Sequence, residues 1–289
     1  MKRLSILLLA GAASAPLFAA EPLQLQVYNP GEASIFAVSS EIIAGPHEVV
    51  LIDAQFQRND AEELVKRIKA TGKKLTTVFI SQSDPDYYFG LDTIRQAFPQ
   101  AKIVATAATV ELIKQTKDHK LAFWGPKMGD NAPASLIVPQ VLAGNSFKVD
   151  GQTIEVQGSS GAEPQNGWLW VPALKTVLGG VQVSGNNIHV WLADAQSKAA
   201  RAVWQQKLQA IAALKPQRVI PGHFLPGAPQ SLQSVSFTLN YLKKAEQTLT
   251  ETKDAASFTE AMKASYPELK DVSSLELSAK VLKGEMKWP

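Results

Sequence analysis

"ISQSDPDYYFGLD", residues 80–92, follows the run "LTTVF" and decides how the chain is read. It has the layout of a metal-binding turn: a strand end, polar residues at alternate positions, a proline, a glycine and an apolar helix. Gln82, Asp84 and Asp86 alternate at the carboxyl end of a buried-looking strand, where α/β proteins place their sites. The histidines expected of such a turn are absent from it. Two readings of its carboxylates stand side by side. Asp84 before Pro85 is an ordinary helix start, an N-cap followed by proline at N1, and Asp86 in the first turn suits the helix dipole. The alternation of Gln82, Asp84 and Asp86 beside Tyr87-Tyr88-Phe89 also fits a working site.

Outward from this stretch, the pattern gives two rounds of strands and helices. Upstream, "LQLQVY" alternates like a half-buried strand, and "VVLID" is an apolar strand ending in Asp53. A helix over about 59–70 places Ala61, Leu64, Val65 and Ile68 on one face. Downstream come a helix through "YFGLDTIRQAF", the strand "AKIVA" and the helix "TVELIKQTK". Residues 118–146 read as an irregular, functional loop containing Trp124, a candidate to line a pocket. The β pattern resumes with "FKV", "TIEVQG", "GWLWVP" and "TVLGGVQV". A helix over about 196–214 carries Trp204, Leu208 and Ile211 on one stripe, "RVIPGH" is a last short strand, and 229–289 reads as helices. Two facing sheets with helices outside satisfy this order.

The 289 residues, 45% of them hydrophobic, suffice for a large α/β core. Lys2 and Arg3, a short apolar stretch and the small residues Ala19 and Ala20 read as a secretory signal peptide over 1–20, cleaved near Ala19/Ala20. Its apolar core is too short to span a membrane. The expectation is a periplasmic or secreted protein with a main domain over 21–228 and a helical extension over 229–289. Without Lys2 and Arg3 the chain carries 27 basic against 26 acidic side chains, a formal charge of +1, which gives no footprint for nucleic acid or an anionic membrane. The chain has no cysteine, so no thiolate serves as nucleophile or ligand and no lipid-attached form arises. There is neither a glycine-rich phosphate loop nor a Gly-x-Ser-x-Gly elbow.

Five segments together carry a family resemblance: "VVLIDAQF", Ser81 to Gly90, "GSSGAEPQNGWLWVP", "VLGGVQV" and "VIPGH". In order and spacing the chain resembles the metallo-β-lactamase fold superfamily over about 23–225. The resemblance implies a four-layer αββα sandwich. It also implies that Gln82 and Asp84 stand where two histidines belong, that Tyr87 replaces a third, that Ala162 falls at the ligand position of the third loop and that Val181 sits where an Asp or Cys would bridge metals. Asp86 and His223 keep their identities, and Asp53 would support the metal loop from behind.

Two retained ligands are too few for an ordinary dizinc hydrolase. The implied expectation is a remodelled mononuclear site with Asp84, Asp86, His223 and His189 as metal ligands, the last recruited from "NNIHVWLAD". It would hold one divalent metal, with zinc, manganese and iron as the candidates, or none. Asp84 would serve as a ligand or as general base, and Tyr87 as hydrogen-bond donor to a developing oxyanion. If active, such a protein attacks an ester, lactone, amide or similar bond. Two alternatives remain: an inactive periplasmic binding or interaction protein on the same fold, and a metal-free activity using Asp84 and Asp86 as acid and base. His47 and His119 read as solvated, and Trp168 and Trp170, two apart on one strand face, as core.

Overall fold

The computed structural model describes residues 21–288; the expected signal peptide, 1–20, lies outside the described residues. Six strands, β1 (Gln24–Tyr28), β2 (Ser40–Ala44), β3 (Glu48–Ile52), β4 (Lys74–Ile80), β5 (Lys102–Ala105) and β6 (Gln140–Val141), form one sheet in chain order. β1 to β3 are antiparallel, and β3 to β6 are parallel. A second sheet has the order β11-β10-β9-β8-β7, built from β7 (Ser146–Val149), β8 (Gln152–Gln157), β9 (Trp168–Val171), β10 (Thr176–Leu178) and β11 (Arg218–Val219).

The apolar runs explain the layers. On β3, Val49 and Leu51 enter one core while Val50 and Ile52 enter another. β4 repeats this with Val78 and Ile80 on one side and Phe79 on the other. A strand apolar on both faces is covered on both faces. The first core is completed by α1 (Arg58–Ala70), α3 (Leu91–Ala97) and α4 (Ala107–Met128), through Leu64, Ile68, Ile94 and Ile113. The inter-sheet core adds Ile154, Val156, Leu169, Val171 and Leu178. Trp168 and Val177 face outward into a third core, shared with α5 (Lys198–Ala213), α6 (Leu232–Glu251), α7 (Ala255–Ser265) and α8 (Val272–Leu282). The result is helix, sheet, sheet, helix. Residues 229–288 pack as part of the outer helical layer through Tyr241, Leu242, Phe258 and Leu275.

Two local expectations are corrected. The single helix after the opening stretch is two, α2 (Pro85–Tyr88) and α3, because Gly90 brings the chain against its neighbours. A Cβ there would sit 2.1 Å from the Ala54 carbonyl and 2.7 Å from Ala61. The expected irregular stretch from 118 begins as helix: α4 runs on to Met128, with Gly125 and Pro126 in its last turn. A proline that late breaks little of the ladder, and Gly129, at φ +54°, ends the helix.

Candidate functional site

The parallel strands β3 and β4 end side by side, and the loops after them form the floor of the candidate site. Asp53 leaves β3 in the left-handed region, at φ +61°, and is fully buried. Its carboxyl accepts the Ser81 backbone N–H at 2.8 Å and the Ser81 hydroxyl at 2.5 Å. The Ser81 Oγ accepts in turn from the Gly180 N–H at 2.8 Å, which ties the two sheets together. Burial, reinforced by the nearby Asp86 charge and opposed by Ser81, pushes the Asp53 carboxyl up to about 8.

His223 is stitched into this floor by its backbone, bridging to Val38 and Ser184. Its Nε2 lies 2.7 Å from Asp86 Oδ2, and its Nδ1 lies 3.3 Å from the Tyr87 hydroxyl. Burial opposes the imidazolium, but the Asp86 hydrogen bond and charge outweigh it and hold His223 above the ordinary histidine value. Tyr87 is buried, and burial, then Asp86, lifts its hydroxyl well above the usual tyrosine range. Its hydroxyl faces the imidazole and lies beside Gly222, where a Cβ would come within 2.7 Å of it and 2.3 Å of the Gly180 carbonyl.

The remaining expected site residues are placed differently. Asp84 turns to Lys120 of α4, with Oδ1 2.9 Å from Nζ, and Lys120 also donates to the Ser83 carbonyl at 3.1 Å. Gln82 accepts from the Ser83 N–H and donates to the Asn166 side chain at 3.1 Å, so a neutral amide pair joins the first loop to the third. Ala162 is exposed, and Val181 packs against the first core. His189 does not join the other three expected ligands: its Nδ1 meets the Tyr241 hydroxyl of α6 at 2.9 Å, and its backbone N–H bonds to the Lys270 carbonyl. The motif "NNIHVWLAD" lies near the fourth loop in sequence, but the residue before His189 bridges to Lys270 and turns the ring into the helical layer. His47 is exposed beside Asp150, and His119 is exposed on α4.

An aromatic cluster reaches His223 through Phe36. Phe36 lies 6.5 Å from its ring and packs on Trp124 at 5.1 Å and Phe56 at 5.0 Å. Phe123, 47% exposed, packs on Trp124 at 4.9 Å.

Paired sheets with outer helices and a site at the strand ends define the class as a four-layer αββα sandwich. The sequence matches the profile of the metallo-beta-lactamase superfamily over residues 34–223, and the chain belongs to that family. Among solved structures it is similar to a metallo-beta-lactamase from Pontibacter korlensis, at 20% identity and TM-score 0.59, covering 78% of this chain and 97% of that one. It is also similar to the DIM-1 metallo-beta-lactamase, at 22% identity and TM-score 0.53, over 78% of this chain and 94% of that one. The TMB-1 structure aligns at 19% identity and TM-score 0.52, over 78% and 93%. At these identities the likeness carries the fold. A comparison with curated proteins finds no match.

Family membership makes the chain hydrolase-like and raises the question of a metal. The donors present do not fit one. Among the described residues, no group of three or more His, Cys, Asp or Glu side chains is placed to hold a metal ion. In every protonation state that satisfies both of its contacts, His223 keeps no ring lone pair free. Asp84 is engaged by Lys120 and Gln82 by Asn166. The expected mononuclear set of Asp84, Asp86, His189 and His223 therefore does not assemble. Asn166 and Lys120 were not read as site residues: Asn166 lies within the third segment but at no ligand position of the resemblance, and Lys120 lies in the stretch read as irregular.

Proposed function

We propose that this chain is an exported, metal-independent binding protein on a hydrolase fold. The engagement of both His223 ring nitrogens by Asp86 and Tyr87 carries this reading. An imidazole held on both sides offers no nitrogen to a metal and none to abstract a proton from water. Export rests on the positive, apolar and small-residue order of the first twenty residues. A small organic molecule with an apolar part is the ligand class that would suit the Phe36, Trp124 and Phe123 cluster, which reaches the partly exposed His223 through Phe36.

A second reading, a mononuclear metallo-hydrolase of esters, lactones or amides, draws on the meeting of Asp86 and His223 at one place. It requires Tyr87 or Asp86 to release a ring nitrogen and Lys120 to release Asp84. A panel of esters, lactones and β-lactams, run with EDTA and with added zinc, manganese or iron, separates the readings. Binding protein predicts no turnover above buffer in any arm. Metal-dependent turnover that disappears in Asp86→Ala establishes the hydrolase instead. Metal-free turnover lost in Asp84→Asn points to acid–base chemistry and also ends the binding reading.

A further inference from the structure

Three loops meet at the candidate site, 80–87, 158–167 and 221–223, and each is held through a basic side chain of the protein itself. Lys207 of α5 is only 8% exposed, and its Nζ donates to three backbone carbonyls of the second of these loops: Gly158 at 2.9 Å, Glu163 at 2.5 Å and Asn166 at 2.9 Å. Three carbonyl acceptors around one nitrogen match the three N–H bonds of an ammonium and leave none spare. Buried amines are costly unless every donor is taken, and here each is. The loop wraps Lys207 as it would wrap a bound cation, with Gly158 at φ +69° where a Cβ would strike the Trp168 ring.

Lys120 does the equivalent for the first loop. Its ammonium bonds to the Ser83 carbonyl and the Asp84 carboxylate, which stand at the turn between β4 and α2. Burial disfavours this charge, but Asp84 outweighs it and holds Lys120 above the ordinary lysine value. The Gln82–Asn166 amide contact links the Lys120 loop to the Lys207 loop, and His223 meets Asp86 from the last loop.

We propose that Lys120 and Lys207 are the resident cations of this site and, with His223 bonded to Asp86, hold together the loops that a divalent metal would otherwise organise. The inference rests on the metal-independent reading above and deepens it: the donors have been taken over by internal charges rather than simply lost. The contacts are also matched locally, a carboxylate to Lys120, a carboxylate to His223 and carbonyl dipoles to Lys207, so Asp84 and Asp86 are each already paired within the protein.

The full-length mature protein tests this by thermal unfolding and by hydrogen exchange read by mass spectrometry. The wild type is measured with EDTA and with zinc chloride. Its midpoint is expected to stay within about 1 °C in both, whereas a site loaded to about 100 times its dissociation constant would raise it by several degrees. Lys120→Gln keeps a donor and drops the charge; amide exchange in 80–87 should quicken by about tenfold or more, with α6 to α8 unchanged. Lys207→Met should do the same to 158–167. Lys120 is partly exposed, so its variant folds even where Lys207→Met does not. A zinc- or EDTA-sensitive wild type overturns the proposal, and so does Lys120→Gln exchanging like the wild type. Metal-free turnover would end the binding reading and leave this inference standing.

Discussion

Asp86 and His223 are 137 residues apart in the chain, and their side chains meet at 2.7 Å with the carboxylate buried. One is fixed by the first turn of α2 and the other by backbone bridges to Val38 and Ser184. The pair therefore closes the two halves of the sandwich on each other. Removing one partner leaves a largely buried charge uncompensated. Asp86→Ala is expected to lose about 3 kcal/mol of unfolding free energy, read by urea denaturation. A loss under about 0.5 kcal/mol, the range of an exposed pair, contradicts this role.

Gly222 sits where two loops and a tyrosine touch. The Cβ of Gly222→Ala would lie 2.3 Å from the Gly180 carbonyl and 2.7 Å from the Tyr87 hydroxyl, and both neighbours are fixed. The variant should lose about 1–3 kcal/mol. It should also disturb the Tyr87–His223 contact, visible as a shifted imidazole resonance by NMR. An unchanged spectrum would show that the floor is looser than its packing.

Glu41 of β2 is fully buried, and neither of its carboxyl oxygens has a hydrogen-bond partner. Burial, then the Asp53 charge, pushes it up to about 8. A carboxyl raised in the folded state contributes stability that is complete below its unfolded value, near 4.5, and is lost as pH rises through about 8. In that window Glu41 lowers stability with a slope approaching about 1.4 kcal/mol per pH unit. Glu41→Gln should flatten the profile and exceed the wild type at the alkaline end; Asp53, raised for the same main reason, leaves a residual slope. Parallel profiles for the two proteins would remove Glu41 from the account.

His189 is a packing residue of the helical layer. Burial holds it below the ordinary histidine value, and it meets Tyr241 as a neutral ring. His189→Ala should cost about 1–3 kcal/mol through the unpaired Tyr241 hydroxyl and the space left behind. Binding of an apolar fluorescent probe at Phe36 and Trp124 should be unaffected. A probe affinity that falls with His189→Ala would return this residue to the site.

The layers were legible because apolar runs bounded by turns report burial on both strand faces, as on "VVLI" and "TVFI". The five loop segments were legible because their glycines and strand-end carboxyls occupy fixed offsets. The Asp86 and His223 positions could be read in the same way. The ionic partners could not. Lys120 pairs with Asp84 across 36 residues and Lys207 reaches its loop across 41 to 49, and a lysine looks solvated until its neighbours in space are in place. His189 misled because nearness in sequence to the fourth loop says nothing of which way the following chain turns. α4 outran its expected end because proline in a last turn is tolerated.

Metal content of the mature protein, purified without a histidine tag and measured by inductively coupled plasma mass spectrometry, tests the central claim most directly. Internal pairing of Asp84 and Asp86 by Lys120 and His223 predicts far less than one zinc, manganese or iron per chain, before and after incubation with each ion. One tightly held equivalent, lost in Asp86→Ala or in His223→Ala, would contradict it.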